Sequence, residues 1–83
     1  RLVMRQVYEF FAGNCSADDV LTAGKKEGKR GNFYSHLYLG LYYEAEGNAE
    51  LAKEYIVKAA SDYQLDDYMW YLACVHCSLR GWG

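Results

Sequence analysis

One short stretch of the sequence carries the side chains best suited to chemistry. Cys74 and Cys77 stand three residues apart with His76 between them, and thiolates and imidazoles are ligands that zinc prefers. Structural zinc usually takes four ligands, so a fourth donor would have to come from Cys15, His36 or an acid. The stretch therefore predicts, as one alternative, a small metal-binding helical domain that uses Cys74, His76 and Cys77.

Packing is the competing interpretation of the same two cysteines. A redox Cys-x-x-Cys motif lies at a helix N-terminus, where the dipole lowers a thiol pKa, whereas Cys74 and Cys77 fall well inside a predicted helix. Ser78, not histidine, follows Cys77, so the haem attachment motif is absent. Free cysteine packs as a small hydrophobe. We therefore favour packing and predict that the chain binds no metal and no cofactor.

No set of residues in the chain predicts catalysis. His36 has no serine, cysteine or aspartate at a helical spacing that would complete a triad, so we predict a packed, hydrogen-bonded histidine. Two acid pairs, Asp18-Asp19 and Asp66-Asp67, fall at predicted helix starts, where capping and the helix dipole explain them. We therefore predict that the protein is not an enzyme.

The elements that must position these residues are helices. Residues 33–46 are apolar or aromatic nearly all the way round, which predicts a helix that is covered on more than one side. Gly47 and Asn48 end it, and residues 49–63 resume with an amphipathic pattern. The short connection predicts an antiparallel hairpin with Gly40 at the closest approach of the two axes.

Helical patterns also flank this hairpin on both sides. Residues 1–12 carry an apolar stripe, and Ser16 is a suitable N-cap for a second, shorter helix. Three glycines and four basic residues fall within positions 24–32, which predicts a solvated linker. After residue 66 the apolar pattern restarts and runs toward Gly81, so we expect a fifth helix there.

The central hairpin resembles a tetratricopeptide repeat, a helix-turn-helix unit of about 34 residues. The positions that match the pattern of that family are Leu39, Gly40, Tyr43, Gly47, Asn48, Ala52 and Ala59. His36 stands where tryptophan is usual, and Gln64 stands where proline is usual. In the same register Trp70 takes the tryptophan position of a following repeat. The resemblance implies an all-α fold, a tetratricopeptide-like α/α superhelix of about five antiparallel helices.

The same resemblance implies a division of one domain, residues 1–83, into three parts. Residues 1–31 would form a degenerate helical hairpin, residues 33–66 the repeat, and residues 67–80 a capping helix or half of a further repeat. Because the chain opens on Arg1 rather than on methionine, we expect it to be a piece of a longer protein.

A surface for protein partners is the functional implication of the resemblance. In stacked hairpins the first helices line a concave side, and the concave positions of this chain are mostly apolar or aromatic. They are Tyr34, Leu37, Leu41, Glu44, Tyr68, Tyr71 and Val75, with Ser78 and Leu79 beyond them. Exposed apolar surface of this kind marks an interaction site, so we predict a groove that binds a helical or extended segment. Alternatively, the terminal helices of the chain itself fill the groove.

Composition narrows the class of partner. A formal charge of -2 and nine tyrosines give no case for nucleic-acid binding, which requires a basic surface, but suit a protein interface. No apolar run is long enough to insert this segment into a membrane. We expect a scaffold, an assembly factor or a structural subunit of a complex, with self-association as one form of partner. Cytoplasm and an organelle such as the chloroplast both stay open as locations.

Overall fold

The computed structural model describes residues 2–82, which fold into five α-helices. They are α1 (Leu2–Phe11), α2 (Ala17–Lys26), α3 (Gly28–Ala45), α4 (Ala49–Asp62) and α5 (Tyr68–Arg80). No strand occurs in this part of the chain, so the predicted all-α class and the count of five helices are confirmed. None of the five helices combines the length and the apolar character that crossing a membrane requires.

Side-chain caps set three of the helix starts. Ser16 and Asp19 form a reciprocal capping box at the start of α2. The side chain of Asn48 accepts a hydrogen bond from the Leu51 amide at the start of α4. Asp67 caps α5. The N-cap predicted at Ser16 is confirmed, and each cap satisfies a backbone donor that the first helical turn leaves without a partner.

The solvated linker predicted at residues 24–32 is wrong. Helix α2 continues to Lys26 and α3 begins at Gly28, so Glu27 alone separates them. Gly24 and Gly31 are buried where the two helices meet, and a Cβ added to Gly24 would lie only 2.7 Å from the carbonyl oxygen of Gly31. These glycines permit close helix packing instead of forming a loop, because they have no side chain to hold the axes apart.

Helices α1, α2 and α4 pack directly on α3, and α5 packs on α4. Gly40 of α3 lies against Ile56 of α4, and Trp70 of α5 donates its indole N–H to the carbonyl of Ala60 on α4 at 2.9 Å. Phe10 of α1 packs edge-on against Tyr42 of α3, with ring centroids 4.6 Å apart. Val3 donates to Glu27 just before α3 and Phe10 lies by Tyr42 near its end, so α1 runs in the same direction as α3.

Two apolar clusters lie on opposite sides of α3. The first joins α1, α2 and α3 through Val7, Val20 and Leu39. The second joins α3, α4 and α5 and is built on Phe33, Leu37, Ala59 and Ala73. The prediction that this helix is covered on more than one side is confirmed, and it explains why residues 33–46 show no polar face.

Candidate functional site

The seven residues of the predicted groove separate into two groups. Leu37 is 4% exposed and lies in the core, and Tyr34 and Leu41 pack half-buried against the same cluster. Tyr68 and Tyr71 of α5, in contrast, are 74% and 54% exposed. Leu37 is therefore not part of an open surface, because Ala59 and Ala73 of the next two helices cover it.

One polar bridge joins the first half of α3 to the start of α5. Arg30 donates to the carboxylate of Asp67 at 2.7 Å, and the hydroxyl of Tyr34 donates to the same oxygen at 3.0 Å. The Met69 amide also donates to Asp67, and this bond and then the Arg30 bond hold the pKa of the carboxyl below its ordinary value. Tyr34 thus positions α5 in addition to lining a surface.

A second bridge joins the end of α3 to the end of α5. Nε2 of His76 donates to Oε1 of Glu44 at 2.9 Å, and the guanidinium of Arg80 contacts the other carboxylate oxygen. Glu44 was predicted as a groove residue, but here its half-buried side chain is used within the chain. Together the two bridges fix the rotation of α5 about its own axis relative to α3.

That rotation leaves an uncovered apolar surface, which we call the outer face of α5. Its members are Tyr68, Tyr71, Leu72, Val75 and Leu79, and their exposed fractions range from 41% for Leu72 to 82% for Leu79. Apart from Ser78 and Arg80, they are all the exposed residues of the helix. No described element covers this face, so neither α1 nor any other described helix fills it. An uncovered stripe of this composition is typical of an interaction surface.

A cleft adjoins the outer face on the side of α4. It has a volume of about 210 Å³ and is lined by Val57, Ala60, Ser61, Cys74, Cys77, Ser78 and Trp82. None of these side chains carries a charge at neutral pH. We call it the α4–α5 cleft, and it extends the uncovered apolar surface from the exposed side of α5 inward to the buried Cys77.

The three residues of the metal-binding alternative do not form one site. Cys74 and Cys77 border the α4–α5 cleft, whereas the imidazole of His76 is held on the other side of the helix by Glu44. Burial raises the pKa of both thiols, which keeps them protonated and disfavours metal binding. Within residues 2–82 no three side chains of histidine, cysteine, aspartate or glutamate are grouped to hold a metal ion.

His36 is packed and hydrogen-bonded, as its sequence context predicts. Its Nδ1 donates to the carbonyl oxygen of Asn32 at 2.7 Å, and its ring contacts those of Tyr55 and Tyr63. The side chain is one of those that line a cavity of about 610 Å³ between α2, α3 and α4. Lys58, which lines the same cavity, is paired with Asp62. Burial lowers the pKa of His36, although the Asn32 carbonyl partly opposes that effect.

We expect the stability of the protein to fall as the pH is lowered below about 6.5 because of His36. An unfolded histidine binds a proton near pH 6.5, whereas the folded imidazole has a lowered pKa. Between the two values the unfolded state binds more protons, so the free energy of unfolding decreases as the pH decreases. Urea denaturation of the wild type and of His36→Gln from pH 7.5 to 5 measures the effect.

The matched control for that experiment is the second histidine of the chain. His76→Gln should keep the part of the pH dependence that His36 causes, whereas His36→Gln should lose it. Equal slopes of unfolding free energy against pH in the wild type and in His36→Gln would contradict a neutral, buried imidazole at this position.

Comparison with known proteins adds no further constraint, since no protein family, curated protein or solved structure matches this chain. Over residues 2–82 the fold is all-α, with five helices. Its candidate functional site is the outer face of α5 with the adjoining α4–α5 cleft. Sequence reasoning missed Leu72 on this surface, although its spacing of four residues from Tyr68 places the two on one side of a helix.

Proposed function

We propose that this chain is a non-catalytic protein interaction module, a scaffold or structural subunit of the tetratricopeptide type, and that the outer face of α5 docks a helix of another polypeptide. One observation carries the proposal. The repeat length of about 34 residues pairs Leu37 with Tyr71 and Leu41 with Val75. On α3 these positions pack against the helices that follow, whereas on α5 they are exposed.

The packing of α4 on α3 indicates what kind of partner fits. Ile56 of α4 lies against Gly40 of α3, where there is no side chain to hold the helices apart. The position about 34 residues later is Cys74, which borders the α4–α5 cleft. We therefore expect an amphipathic partner helix that runs antiparallel to α5 and packs along its outer face. Recognition of this type uses apolar anchors spaced three or four residues apart.

A photo-crosslinking experiment tests the proposal. The chain is prepared with benzoylphenylalanine in place of Tyr71 and is irradiated in an extract of its source cells. We expect a crosslink to a segment that is apolar at every third or fourth residue. Val75→Glu with Leu79→Glu should reduce the crosslinked fraction by about tenfold or more, because burying unpaired carboxylates costs well over 1.4 kcal/mol.

The matched control places the same photoreactive residue at Tyr8 of α1, which is 70% exposed and lies outside the outer face of α5. This control should give little crosslinking, and none that depends on Val75 and Leu79. Crosslinks of equal yield at both positions, or a Tyr71 crosslink unchanged by the two glutamates, would reject the outer face of α5 as the docking surface.

A further inference from the structure

We infer that the polypeptide that docks on the outer face of α5 is a second copy of this chain, with two α5 helices paired antiparallel about a two-fold axis. The inference rests on the proposed function, because it names the partner of the same surface. A two-fold interface requires one patch that is complementary to itself. The order of side chains along α5 and the charges at its two ends meet that requirement.

The apolar side chains of the outer face match themselves when the helix is reversed. Tyr68, Leu72, Val75 and Leu79 follow one another at spacings of four, three and four residues, which is the spacing of a helix-pairing seam. In an antiparallel pair Tyr68 faces Leu79 of the second copy, and Leu72 faces Val75. All of these side chains are exposed in the single chain. Every facing pair is therefore apolar, and no charged side chain enters the seam.

The charges at the ends of α5 select the antiparallel direction. Asp66 is exposed just before the helix, and Arg80 is exposed in its last turn. Arg80 already contacts Glu44 of its own chain. An antiparallel pair brings Asp66 of the other copy near it as a second acid, whereas a parallel pair would place the two Arg80 side chains together. The helix dipoles favour the same direction, because the positive end of one helix then lies beside the negative end of the other.

The size of the surface sets the expected affinity. A helix of 13 residues is about 20 Å long, and five side chains along it bury less than the roughly 1,200–2,000 Å² of a standard stable interface. We therefore expect a reversible dimer with a dissociation constant of about 10–100 µM, well above the nanomolar values that larger interfaces reach. Such a dimer forms only where the chain is locally concentrated.

Analytical ultracentrifugation of the purified chain over a concentration series tests the inference. The series extends from well below to well above the expected dissociation constant. We expect the average mass to rise with concentration from 9.5 kDa toward twice that value. The double variant Val75→Glu with Leu79→Glu should stay at the mass of one chain throughout. The control variant Tyr8→Glu, which changes an exposed aromatic residue of α1, should associate as the wild type does. Circular dichroism checks that each variant keeps its helices.

Chemical crosslinking tests the antiparallel register. In a background with Cys15→Ser and Cys74→Ser, one chain carries Leu72→Cys and an isotope-labelled second chain carries Val75→Cys. A short bismaleimide should link the mixed pair well beyond the roughly twofold excess over either like pair that random pairing gives, because Leu72 faces Val75 across the proposed axis. A mixed product at or below that random excess would overturn the antiparallel pairing.

The outcomes separate this inference from the proposed function. A chain that stays at 9.5 kDa across the series, or a dimer unaffected by the two glutamates, overturns the second copy as the partner. If the Tyr71 crosslink then joins a different protein and still depends on Val75 and Leu79, the outer face of α5 is still the docking surface and only the identity of its partner is wrong. If no crosslink forms at Tyr71 either, both proposals are rejected.

Discussion

Leu37→Ala is expected to lower the free energy of unfolding by about 2–5 kcal/mol, the range for removing a buried leucine side chain. Leu37 is 4% exposed and packs with Phe33, Ala59 and Ala73, which come from three helices. Truncation leaves a cavity where these helices meet, and close packing on all sides limits how far the structure can collapse into it. Urea denaturation followed by circular dichroism measures the change.

Leu79→Ala is the matched control, because it makes the same chemical change at a side chain that is 82% exposed. Its unfolding free energy should lie within about 0.5 kcal/mol of the wild type. The two variants should also separate stability from docking, since only Leu79 belongs to the outer face of α5. Equal stability of both variants would contradict the buried position of Leu37 and would mean that Leu37 lies in an open groove, as the sequence predicts.

Gly31→Ala is expected to destabilise the protein by about 1–3 kcal/mol, the usual cost of forcing extra atoms into a packed site. The sign of this change in stability is informative, because replacing glycine by alanine inside a helix normally stabilises the helix by roughly 0.5–1 kcal/mol. At Gly31 the new Cβ would overlap the carbonyl oxygen of Gly24 and would lie 2.6 Å from Cβ of Glu27. Since the nearest atom is backbone, α2 and α3 have to separate. Thermal unfolding followed by circular dichroism measures the loss.

Lys29→Ala provides the control on the same helix, because Lys29 is exposed and its ammonium donates to the carbonyl of Gln64 at the surface. We expect a change within about 0.5 kcal/mol for that variant. If the Gly31→Ala protein were more stable than the wild type, α2 and α3 would not approach each other here. Residues 24–32 would then be the solvated linker that their glycine content predicts.

Helix content could be predicted from the sequence because periodicity and capping are local. The apolar spacing of residues 33–46, the turn at Gly47 and the cap at Ser16 are all visible in short windows, and the structure has them. The α2–α3 junction could not be predicted in the same way. Glycines at positions 24, 28 and 31 suit a loop and a close helix contact equally, and only the facing helix decides between them.

For the candidate site, too, the sequence predicts the position of each residue along its helix but not the contacts between helices. A helical register correctly places Tyr68, Tyr71 and Val75 on one side of α5, where they are exposed. For Leu37 the register gives a position but not its burial, which depends on Ala59 and Ala73 from two other helices. Glu44 is a further example, since its use by His76 and Arg80 follows from how α5 is rotated against α3. Such contacts join residues more than 30 positions apart in the sequence.

Self-pairing through α5 would give the protein a simple form of control. Because the expected self-affinity is weak, two copies would pair through the outer face of α5 only where the chain is concentrated. The Tyr71 crosslinking experiment tests this directly, since it identifies the polypeptide bound at the face.

Native mass spectrometry of the protein, purified gently from its source, tests the central claim most directly. The account predicts a species heavier than one chain by a whole polypeptide, and Val75→Glu with Leu79→Glu should reduce it to the mass of one chain. The double variant must retain the helix content of the wild type for this comparison. The spectra are recorded with the chain above about 100 µM, the upper end of the expected dissociation constant. A single bare chain in the wild-type preparation at that concentration, or a complex that survives the two glutamates, would contradict docking on the outer face of α5.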